Sequence, residues 1–137
     1  MDWGSGEFEA AEFVRLVEAC EFPTDKFHHG DHIRLAWIYV ETLGAAAAEE
    51  RICASILKFA MNLNHPEKYH DTMTRAWLRL VAVGHTIGPQ NGDFAAFIDH
   101  HRWLLNRDAL SSFYSTATLM SDAARQGWVD PDLRSLP

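Results

Sequence analysis

Apolar residues recur every three or four positions along most of this chain, and no segment alternates apolar and polar residues as a half-buried strand does. Phe13, Leu16, Val17 and Cys20 share one helical face, as do Ile33, Ala36, Trp37 and Val40. Ile52, Ile56, Phe59, Ala60 and Leu63 form a third stripe, and Met73, Trp77, Leu80 and Val81 a fourth. Stripes of this period are buried by packing helix against helix, so the expected fold class is all-α.

Helix breakers set the boundaries. The pattern predicts helices over residues 8–20, 29–43 and 46–63, with Pro23 and Gly44 as stops. Asn64 is expected to cap a fourth helix with Pro66 in its first turn and Glu67 three residues on from the cap. That helix should fade over residues 84–88 and end at Pro89. Asp93 should cap a fifth helix carrying Phe94, Phe97 and Ile98, and a sixth is expected over residues 107–120. Short connectors favour antiparallel neighbours. The expectation is a compact up-down bundle of five to six helices, one domain across residues 1–137, with residues 1–6 loose and an irregular proline-containing C-terminal tail.

Charge narrows the partners. A formal charge of −7, with Lys and Arg scattered, argues against nucleic acid and against anionic membrane surfaces. No run reaches the roughly 18 apolar residues of a membrane span, and the acidic start does not read as a secretory signal. Cys20 and Cys53 stand far apart in helical patterns and read as reduced thiols of a cytoplasmic protein.

Histidine is the unusual component. Eight are present, and the densest run spans residues 27–37, Phe-His-His-Gly-Asp-His-Ile-Arg-Leu-Ala-Trp. His29 and His32, like His28 and His32, are spaced to share a helical face, with Cβ atoms about 5–6 Å apart. That face continues into Ile33, Ala36 and Val40, so the imidazoles start on the core side and need partners. His70 likewise opens the face of Met73, Thr74 and Trp77. In an up-down bundle the second and fourth helices begin at the same end, bringing His29, His32 and His70 together. A descending fifth helix would deliver His100 and His101 there, and the 18–21 end of the first helix should join them.

The F-x-H-x-x-H-x-R-L-A-W run at 27–37 and the Y-H-[DE]-T-x-T run at 69–74 resemble a family of small bacterial all-helical proteins. The resemblance extends to Tyr114-Ser115 and to the closing Pro131-x-Leu133-x-x-Leu136-Pro137. It implies that His29 rather than His28 pairs with His32 and that His70 is the third member; it implies no activity.

His29, His32 and His70 are thus candidate catalytic residues or metal ligands, and zinc, iron, nickel and copper all suit imidazole. A core hydrogen-bond network without chemistry explains the same three residues. Tyr69, Thr74, Trp37, Trp77 and Arg34 are candidate substrate-binding residues. Core packing for the tryptophans, and a surface charge for Arg34 or Arg75, are the alternatives. No HExxH, paired ExxH, Gly-rich phosphate loop or GxSxG element is present. Two functional classes stay open. One is a metal-dependent or histidine acid–base enzyme acting on a small molecule. The other is a non-enzymatic helical module that binds a small ligand, a protein partner or a second copy, with Trp103 and Trp128 on a candidate interaction face.

Overall fold

The computed structural model describes residues 9–88 and 92–137. Among them are seven α-helices: α1 (Ala10–Glu18), α2 (His29–Leu43), α3 (Ala45–Asn62), α4 (Asp71–His85), α5 (Phe94–His100), α6 (Thr116–Leu119) and α7 (Asp122–Gln126). The 3₁₀ turns Thr24–Lys26, Pro66–Lys68, Arg102–Leu105 and Ala109–Ser112 link them, and no strand occurs among the described residues. The expectations for residues 1–6 and for Pro89 fall outside the described residues.

Helices α2, α3 and α4 pack against one another and form the centre. Gly44 alone separates α2 from α3, at φ +82°, where a side chain would be strained. Helix α2 buries Leu35, Ile38 and Tyr39 as well as Ile33, Ala36 and Val40, because neighbours cover it on more than one side. Phe13, Phe22, Phe27 and Phe59 meet edge to face or tilted at 5.3–5.9 Å and close the gap between α1, α2 and α3.

Several sequence expectations need correction. The fourth helix starts at Asp71, not after Asn64. Asn64 takes a left-handed φ of +61°, Pro66–Lys68 forms a separate turn, and His70 is the N-cap. Helix α5 has only 7 residues, about 10 Å of rise, and cannot span the bundle. His101 accordingly stays at the C-terminal end of α4, with Nε2 3.0 Å from the Ile87 carbonyl. Glu18 also misses the histidine end: it accepts the Tyr39 hydroxyl at 2.6 Å, ten residues and about 15 Å along α2 from His29.

The long helix expected over residues 107–120 does not form. The tail competes for its backbone: Leu133 N–H donates to the Phe113 carbonyl at 2.9 Å, and Asp132 accepts from Ser115 N–H at 2.8 Å. Ser115 then caps the short α6 instead of continuing a helix. Arg34 is not a surface charge; it is 7% exposed, with its guanidinium 4.8 Å from the centre of the Phe13 ring.

Candidate functional site

The first turn of α2 fixes His29 and His32. Asp31 accepts the His28 N–H at 3.0 Å, which sets the helix start and turns the next residues inward. His29 Nε2 lies 2.9 Å from the Leu104 carbonyl, so that nitrogen carries the proton and donates. The imidazole edge meets the Trp77 ring at 4.6 Å between centroids. Burial, and less strongly the Arg107 charge, lower its proton affinity against the opposing pull of the Leu104 bond. His32 Nε2 is shut off from solvent and has no hydrogen-bond partner among the described residues. Burial, with a smaller contribution from His29, pushes this imidazole down to about 4.

His70 has a different task. Its Nδ1 accepts the Met73 N–H at 3.0 Å, and its Nε2–H donates to the Leu119 carbonyl at 2.6 Å. Both ring nitrogens are engaged, so the ring caps α4 and pins it to α6. Among the described residues no three His, Cys, Asp or Glu side chains are grouped to hold a metal ion. The expected three-imidazole centre is therefore not assembled there: His70 is committed to the backbone, and any ion at His29 and His32 would need other donors.

The second histidine run divides its side chains between two jobs. Thr72 donates to the Gly127 carbonyl at 2.7 Å and accepts the Val129 N–H at 3.0 Å, clamping the tail to α4. Thr74 bonds back to the His70 carbonyl at 2.8 Å and is buried, so its hydroxyl serves the helix. Tyr69, Asp71 and Arg75 instead line an open cleft of about 650 Å³ between α3, the start of α4 and α7. Cys53, Ala54, Leu57 and Pro66 form much of its wall, with Arg125 and Gln126 on the α7 side.

A continuous polar chain runs along this cleft. The Tyr69 hydroxyl donates to Asp71 Oδ1 at 2.7 Å, and Arg75 Nε donates to Asp71 Oδ2 at 2.7 Å. Arg75 Nη1 reaches Glu49 at 3.0 Å and Glu50 at 3.2 Å, and Arg79 Nε holds Glu49 at 2.8 Å. Burial raises the Tyr69 phenol, and the bonds to Cys53 and Asp71 raise it further. The Cys53 thiol is raised chiefly by burial. Both groups keep their protons at neutral pH.

Of the remaining sequence candidates, Trp37 packs on Phe94 and Phe97 at 5.9 and 6.2 Å, and Trp77 is buried beside His29. Arg34 belongs to the α1 contact, away from the cleft lining. Trp128 lies under the Arg79 guanidinium at 3.8 Å, whereas Trp103 is 43% exposed. Sequence reasoning overlooked Cys53, Glu49 and Glu50 as neighbours of Tyr69, Asp71 and Arg75. The available signal was the Asp71–Arg75 spacing of four, which marks a helical ion pair. Comparison with protein-family models, curated proteins and solved structures found no match to this chain.

Proposed function

We propose that this protein is a non-enzymatic helical module that binds a small ligand in the cleft beside Tyr69. One observation carries the reading: a concavity of about 650 Å³ whose wall joins apolar side chains to a fixed polar chain on two rigid helices. Its size falls within the roughly 300–1,000 Å³ of small-molecule sites. The Asp71–Arg75 and Arg75–Glu49 bonds hold the polar groups in place before a ligand arrives, which lowers the ordering cost of binding.

A thermal-shift screen of small amphipathic compounds tests this reading. Hits should raise the melting temperature of the native chain but not of Ala54→Trp, in which the indole fills the cleft from an exposed helix position. A screen without hits, or hits that stabilise both proteins equally, contradicts it.

A second reading, a histidine acid–base enzyme at His29 and His32, has one observation of its own. His32 Nε2 is a buried imidazole nitrogen with no hydrogen-bond partner among the described residues, next to a His29 held in one tautomer by Leu104. Neutral imidazoles of this kind accept or donate a proton to a substrate that reaches them. Should a metal bind there, these two residues are its candidate ligands, and it would polarise a substrate or activate water. Loss of turnover in His32→Leu, with binding in the cleft intact, would favour this reading.

A further inference from the structure

We infer that the cleft takes an uncharged ligand with an apolar body and a carbonyl-type hydrogen-bond acceptor, such as an amide. This rests on the cleft being a ligand site and adds what the site selects. The first argument counts hydrogen-bonding capacity. Both oxygens of Asp71 are engaged, by Tyr69 and by Arg75, while Glu67 and Glu50 each have one oxygen engaged, by His65 at 2.9 Å and by Arg75 at 3.2 Å. The donors are not used up. Arg75 commits Nε and Nη1 to carboxylates and leaves Nη2 without an acceptor among the described residues. Among the described residues Arg125 makes a single bond, from Nη1 to the Glu67 carbonyl at 3.3 Å. Among the described residues the guanidinium N–H groups left over on this wall outnumber the carboxylate oxygens left over, Glu50 Oε2 and Glu67 Oε2, so the ligand supplies an acceptor.

The second argument is charge. The lining carries three carboxylates, Glu50, Glu67 and Asp71, against two guanidiniums, Arg75 and Arg125, so one negative charge is in excess. The Arg75 cation is already shared by three carboxylates, Asp71, Glu49 and Glu50. A ligand carboxylate would add to that negative excess beside the group around Arg75, with Arg125, which forms no ion pair among the described residues, left to offset both the added charge and the lost hydration. A ligand ammonium would face the unpaired guanidinium donors. A neutral carbonyl accepts from those donors without either conflict, while Ala54, Leu57 and Pro66 receive an apolar body.

Three matched probes separate the classes by NMR titration of the full chain: N-acetyl-leucine methylamide (neutral), N-acetyl-leucine (carboxylate) and leucine methylamide (ammonium). The neutral diamide should shift the Cys53, Leu57 and Tyr69 resonances and bind at least about 10-fold tighter than either charged probe, a margin of about 1.4 kcal/mol. Arg75→Lys should weaken it several-fold. Arg125→Gln, which breaks no ion pair among the described residues, should do so to a lesser degree and serves if the Arg75 variant fails to fold. Equal or tighter binding of a charged probe in the cleft overturns the ligand class while leaving the cleft as a binding site. If none of the three probes shifts cleft resonances, the ligand class is also wrong, and the compound screen with Ala54→Trp then decides separately whether the cleft binds anything.

Discussion

The Tyr69 hydroxyl and the Asp71 carboxylate, two residues apart, are joined by a 2.7 Å hydrogen bond at the start of α4, and both face the cleft. His70, between them, points the other way and bonds Leu119. Alternation at a helix entry thus lets one short run build a binding wall and a structural pin together. Removing the Tyr69 hydroxyl should cost about 1 kcal/mol of stability in Tyr69→Phe, the usual net worth of a hydrogen bond, as read by urea unfolding. Asp71→Ala should cost more, because Arg75 then loses its closest carboxylate.

His32 should make stability depend on pH in a defined window. Its folded-state value of about 4 lies below the ordinary 6.5, so the unfolded chain takes up the proton first as pH falls. The contribution is complete above pH 6.5 and is lost progressively between 6.5 and 4, up to about 3 kcal/mol at 1.36 kcal/mol per unit. The downward shift at His29 acts in the same direction. Urea unfolding at pH 7.5 and 4.5 measures this, and His32→Leu should flatten the profile without losing stability at pH 7.5.

His70 should behave as a pin between α4 and α6. His70→Ala removes the cap on Met73 N–H and the bond to Leu119 together, and should cost about 2–3 kcal/mol. His70→Asn can still cap but is too short to reach Leu119, so it should recover about 1 kcal/mol of that loss. Equal stability of the two variants in denaturant would show that the cap contributes nothing.

Thr72 should control the tail. Thr72→Val keeps the shape of a fully buried side chain but removes both bonds to the tail, leaving the Gly127 carbonyl and Val129 N–H without their partner. A loss of about 2–3 kcal/mol is expected. Hydrogen exchange at Val129 should accelerate by at least about 10-fold while the α2 core amides slow or quicken only with global stability.

Much of the fold was legible in the sequence because its signals are local. The bounds of α2 follow from the inward histidine turn and from Gly44, and the Asp93 cap of α5 follows from its own side chain, which accepts Ala96 N–H at 3.0 Å. The failure of a helix over residues 107–120 was hidden, because the groups that interrupt it, Asp132 and Leu133, come from far along the chain. The role of His70 was hidden for the same reason: Leu119 is 49 residues away. The cleft was half legible. Tyr69 was singled out from its run, but Cys53 and Glu49 enter from α3, and periodicity within one helix does not reveal what a neighbouring helix presents.

The most direct test of the cleft as the working site is amide chemical-shift mapping with a hit from the compound screen. The expected result is perturbation concentrated on Cys53, Ala54, Leu57, Tyr69 and Gln126, abolished in Ala54→Trp. Perturbation centred on His29, His32 and Trp77, and indifferent to Ala54→Trp, would contradict the account and move the site to the first turn of α2.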